Sequence, residues 1–233
     1  MISNRLLGLF AVAALLVAVS SFTVKSTDAP DVSFDGLHLK PHSKVAIAYV
    51  KPDADFSIYE SFMMLDTYVA FKKDWQRDTR VAGRRVSNKD MERIKKEAAE
   101  LLHDTFENEL DEKGGYKFVE AAGDKVLLLR PALIDLEITA PDIPVAGRVT
   151  QYVASAGAAT LYIEMYDSVS GEILGRVIDR RRMQDYGRVG RANSVSNRSD
   201  ARRMFRRWAE QLRTGMDEVR AEAGLTPIIQ QNK

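Results

Sequence analysis

Carboxylates and arginines are the residues of this chain whose spacing invites a chemical reading. Asp135, Glu137 and Glu164 fall at alternating positions of two apolar runs. Such a set would serve as an acid/base pair or hold a cation. Acid/base work needs one of the groups raised in pKa by burial, and no apolar pocket is written around these three. They read as a solvated strand face, and a periplasmic hydrolase that uses them is the alternative. His38 and His42 stand four apart, the spacing of a helical metal pair, but Pro41 lies between them. They read as a solvated loop rather than a metal site. The chain has no cysteine, which removes disulfides, thiolate metal ligands and cysteine nucleophiles together. It contains no G-x-G, no phosphate-binding loop and no G-x-S-x-G elbow. The expectation is a non-catalytic protein with no cofactor and no metal.

The arginines carry the second signal. From Arg176 to Arg220 the chain has thirteen arginines against six acids, although its net charge is only +1. Arginine suits bidentate contact with phosphate or carboxylate. The candidate partner-binding residues here are Arg180, Arg181, Arg182, Arg188, Arg191, Arg203 and Arg207. Arg148 and Tyr152 join them from the connection Pro141–Ala156, which is too long for a tight turn and is expected to be a partner-contact loop. Trp75, set in the charged stretch KKDWQRD, is the last candidate. Two readings stay open for it: a side chain folded back over the sheet edge, or an exposed anchor for a partner. Two stay open for the arginines as well: a binding surface, or a solvated helix face paired with the acidic first helix.

The N-terminus narrows the partners. Arg5 precedes an uncharged run of fourteen residues, Leu6–Val19, with Ala18 and Ser20 as small residues before Ser21. That is the pattern of a secretory signal peptide at 1–20, with an uncleaved anchor as the alternative. Residues 21–55, rich in Ser, Asp, Lys and Pro, read as an extended arm. An exported protein would be periplasmic or associated with the outer membrane. Its anionic partner would be an envelope protein or a lipid surface, not nucleic acid. Sequence does not specify an oligomeric state.

Some framework must position these groups. Lys125–Arg182 reads as a long strand, a connection and a hairpin turned at Ser168–Gly171. In the first strand Ile134, Leu136 and Ile138 are expected to face one way and Asp135, Glu137 and Thr139 the other. Ser61–Phe71 reads as one further strand. A helix is expected from Ser87 to Glu112. Ser87 and Asp90 resemble a capping box, Met91 to Leu110 form an apolar stripe, and Gly114-Gly115 stops it. Burying that stripe contributes about 1.5–3 kcal/mol per side chain. A second helix follows Asn197, with Met204, Phe205, Trp208, Leu212, Met216 and Val219 as its apolar face. The fold class expected is α/β of the α+β type. It is a single two-layer domain over 56–223, with a mostly antiparallel sheet and two long amphipathic helices on one face. A flexible tail over 224–233 would follow it.

Four phrases carry a family likeness: DGLHLKPHSKVAIAYVKPDADFSIYESFMMLDTYVAFKKDWQRD, VLLLRPALIDLEITAPD, YVASAGAATLYIEMYDSVSGEILGRVIDRR and ANSVSNRSDARRMFRRWAEQLR. They resemble a group of bacterial proteins, domain of unknown function 3313, described as outer-membrane lipoproteins. The likeness runs from about Asp35 to about Val219. It implies an envelope location and an α/β domain, and it brings no active residues. A lipoprotein's lipidated cysteine has no counterpart here.

Overall fold

The computed structural model describes residues 29–231 apart from 82, 140, 142–150, 156, 184 and 193. For 81, 151–155, 185–192, 194–196, 230 and 231 it describes the backbone alone. In chain order the elements are β1 (His38–Leu39), β2 (Ile47–Val50), β3 (Ser61–Met64), β4 (Tyr68–Phe71), the single turn α1 (Trp75–Asp78), β5 (Arg80–Val81) and β6 (Arg84–Arg85). Then come α2 (Asn88–Glu107), β7 (Lys117–Phe118), β8 (Val126–Ile138), β9 (Gln151–Ser155), β10 (Gly157–Asp167), β11 (Ile173–Arg182), β12 (Asp185–Ala192), α3 (Ser194–Glu222) and α4 (Ile228–Gln231).

One mixed sheet runs β1-β2-β11-β10-β8-β3-β7, with β4 beside β8. The long strands are antiparallel, as their alternation suggests. β3 and β4 lie parallel to β8, a pairing that no local pattern announces because parallel strands need a distant crossover. The expected single strand over 61–71 is thus two strands in one line, interrupted at 65–67. The interruption faces Pro131 of β8. The carbonyls of Lys125, Leu129 and Leu136 accept from this line of chain, and Pro131 lies in the same row with no N–H to offer.

The helix-covered face of the sheet is apolar. Leu127, Leu129, Leu133 and Leu136 of β8 meet Ala159, Leu161, Ile163 and Met165 of β10 beneath Leu102, Phe106, Phe205 and Trp208 of the helices. The capping box at Ser87 is formed in both directions, with Asp90 N donating to Ser87 Oγ (3.2 Å) and Ser87 N to Asp90 (3.1 Å). The last turn of this helix widens to a π-turn at Asn108–Glu112. It stops where Gly115 takes φ 77° and where a Cβ on Gly114 would sit 2.4 Å from the Leu110 carbonyl oxygen.

Four expectations are corrected. Asp135 adopts φ 50° inside β8 and slips the register on both neighbours. That bulge puts Leu133 and Leu136 on the same face, so Ile134 points away from Leu136 and Ile138. α3 starts at Ser194, earlier than Asn197. Within the expected flexible tail over 224–233, Ile228–Gln231 form α4, whose Ile228 is buried in the core. The connection Pro141–Ala156, expected as a loop, also carries a strand, β9. β9 and β12 pair with each other, and Ser155↔Asp185 continues the register of Ala158↔Arg182. The central hairpin thereby runs on past the sheet as a two-stranded ribbon.

Candidate functional site

On the face opposite the helices, one transverse row crosses four strands. Arg130 of β8 faces Glu164 of β10, Glu164 faces Arg176 of β11, and Arg176 faces Tyr49 of β2. Strand pairing alone therefore places a carboxylate between two guanidinium groups. Tyr162 and Tyr166 flank Glu164 two residues away along β10, on the same face. Their hydroxyls donate to Glu164 Oε1 (2.7 Å) and Oε2 (2.8 Å). Arg176 donates to Oε1 through Nη2 (3.1 Å) and Nε (3.3 Å), and Arg130 reaches Oε2 at 3.5 Å.

The N-terminal segment completes the cluster. Tyr49 holds it down by donating its hydroxyl to the Pro30 carbonyl at 2.8 Å. A tight turn from Ser33 to Leu37 then presents Asp35, which takes both terminal nitrogens of Arg176, one of them at 3.1 Å. The guanidinium lies between the rings of Phe34 (5.2 Å) and Tyr162 (5.7 Å). Arg176 is buried, and Phe34 is 94% exposed.

These surroundings fix the protonation states. The hydrogen bond from Arg176 holds the Asp35 carboxyl at about 2, against a burial penalty that acts the other way. Burial pushes Glu164 up, but the donors Tyr162, Tyr166 and Arg176 outweigh it and keep the group below the ordinary glutamate range. Burial, with the Glu164 charge added, drives the Tyr162 hydroxyl up to about 12. A proton donor near neutral pH needs the opposite shift. The cluster holds its charges fixed and joins the N-terminal segment to the sheet.

The other two carboxylates weighed for chemistry are separate from it. Glu137 pairs with Arg180 (2.5 Å) and Lys72 (3.2 Å). Asp135 is exposed on its bulge, 4.0 Å from Arg180. Among the described residues no group of three or more His, Asp or Glu has the arrangement of a metal site.

The partner-binding candidates scatter across both faces. Arg180 lies on the open face, while its neighbour Arg181 points to the helix side. There it donates to Asp179 (2.7 Å) and Gln211 (2.7 Å). Asp179 is buried and also accepts from Trp208 Nε1 (2.8 Å). Arg182 is exposed at the end of β11. Tyr152 lies on β9, and Arg188 and Arg191 on β12, all on the ribbon, where the backbone alone is described. Arg148 lies outside the described residues. Arg203 pairs with buried Asp200, and Arg207 is exposed. Trp75 is not an exposed anchor: it is buried, stacks on Phe71 at 4.3 Å and donates to the Ile138 carbonyl at 3.1 Å.

Asp35, Arg176 and the two tyrosines escaped the sequence reading. One signal was present. The phrase YIEMY (Tyr162–Tyr166) puts two hydroxyl donors on the same strand face as one carboxylate.

Solved structures similar to this chain are distant. The PelC dodecamer from Paraburkholderia phytofirmans is 11% identical, with 69% of this chain and 91% of that chain covered and a TM-score of 0.35. The crystal structure of protein XCC0632 from Xanthomonas campestris, of family DUF330, is 9% identical, with 71% and 88% covered and a TM-score of 0.40. No curated protein matches the chain. The profile of one family does, over residues 32–212, which takes in the N-terminal turn, the whole sheet and more than half of α3. The chain belongs to that family, the proteins of unknown function DUF3313.

Proposed function

We propose that this is an exported, non-catalytic protein of the cell envelope. It meets an anionic partner, an envelope protein or a lipid surface, through the outer side of α3 and the ribbon that leads into it. The observation that carries this reading is the charge left over on α3. Arg198, Arg202, Arg203, Arg206 and Arg207 fall within three turns. Asp200 neutralises Arg203 and Glu210 neutralises Arg206. Arg198, Arg202 and Arg207 are exposed and make no ion pair among the described residues. β12, with Arg188 and Arg191, ends at Ala192, just before α3 begins at Ser194. The pairing of all three candidate carboxylates with cations speaks against acid/base chemistry on the sheet. The leader-like first twenty residues support export, and the periplasm or outer membrane is the location proposed.

Retention of the full chain on vesicles containing anionic phospholipid tests this. Binding is expected at about 0.1 M salt and lost at about 1 M, where the Debye length falls from about 10 Å to about 3 Å. Arg202→Glu with Arg207→Glu is expected to weaken it at low salt. Retention that ignores both salt and these substitutions would sink the proposal.

A further inference from the structure

A cavity of about 240 Å³ lies between the helix-covered face of the sheet and the middle of α3. Leu161, Ile163 and Val177 form its floor, and Leu212 and Met216 its roof. Gly215 of α3 borders it. A methyl group built there meets no atom within 4 Å, although glycine inside a helix costs about 1 kcal/mol relative to alanine. No left-handed backbone and no close approach requires glycine at this position.

The loop between β1 and β2 lines its mouth. Two contacts fasten that loop to α3: Gln211 Nε2 donates to the Lys44 carbonyl (3.0 Å), and Lys44 Nζ pairs with Glu218 (2.5 Å). The ion pair is exposed on both sides and so holds the loop weakly. On the rim, Lys40 and Lys44 set two ammonium groups against the single carboxylate of Glu218, with His42 beside them. Apolar walls behind a positive rim complement one kind of molecule, an aliphatic chain with a negative head. An apolar cavity of about 150 Å³ is enough for benzene, so this one has room for a longer alkyl segment.

We propose that this cavity takes the aliphatic chain of a single-chain anionic amphiphile, a fatty carboxylate, with its head group at Lys40 and Lys44. The site is separate from the arginines of α3, so its failure would leave the proposal above untouched.

Displacement of a fluorescent apolar probe, N-phenyl-1-naphthylamine, by decanoate tests it on the full chain. Saturable displacement is expected for the native protein and for Gly215→Ala. Gly215→Leu projects into the cavity and is expected to weaken decanoate at least tenfold, with its fold checked by circular dichroism. Should that variant lose its fold, Val177→Phe fills the same space from the opposite wall. Lys40→Gln with Lys44→Gln is expected to weaken decanoate several-fold and leave the neutral decanol unchanged. No saturable displacement by the native chain, or undiminished binding by the folded cavity-filling variant, overturns the proposal. Equal losses for decanoate and decanol overturn the role of the two lysines.

Discussion

β11 carries Arg176, Arg180, Arg181 and Arg182, and the first half of α3 carries five arginines at similar density. On β11 the pleat sends neighbours to opposite faces, and carboxylates meet three of the four there: Asp35 and Glu164 at Arg176, Glu137 at Arg180, Asp179 at Arg181, while Arg182 at the strand end is exposed. On α3 the residues four apart from Arg202 are Arg198 and Arg206, and the residue four before Arg207 is Arg203. Like charges face like charges along the helix, and the excess survives. A run of arginines in sequence is thus no measure of a positive surface. What counts is whether the secondary structure delivers each one to a partner.

The sharpest way to break this contrast is Arg176→Ala. It leaves Glu164 and Asp35 without their common cation in a buried setting, which costs about 3–5 kcal/mol and reads out as a fall in the urea midpoint. Acid is the next probe. Asp35 sits at about 2 in the folded chain against an ordinary 3.8. Its depressed pKa adds stability that is fully present above about 3.8 and is lost as the pH falls through about 2. Urea unfolding across that window should show a slope that Asp35→Asn diminishes. Tyr162→Phe removes one neutral donor from a buried carboxylate that keeps three others, and about 1.5 kcal/mol is expected from equilibrium unfolding. Arg202→Ala and Arg207→Ala close the series: each should change stability by less than about 0.5 kcal/mol. A loss near that of Arg176→Ala would mean that the helix arginines hold the fold together as firmly as the strand arginines do.

Local signals were legible in the sequence and non-local ones were not. The capping box at Ser87, the stripe from Met91 to Leu110 and the turn at Ser168–Gly171 depend on residues a few positions apart, and each is present. The bulge at Asp135 depends on a left-handed backbone that aspartate tolerates but does not announce, so strict alternation put Ile134 on the wrong face. The break between β3 and β4 answers to Pro131, some sixty-five positions away by register. The clasp on Arg176 needs Asp35 from 141 residues earlier in the chain, and the outward view of Trp75 failed because Ile138, 63 residues later in the chain on the neighbouring strand β8, supplies its acceptor.

The seat of Pro30 on Tyr49 has a consequence for orientation. The backbone enters the described body on the side of the sheet that the helices leave bare. Pro30 thus lies on the open face of the sheet, while α3 with its exposed arginines covers the other. The first described residues therefore brace the sheet on the face that the helices leave uncovered.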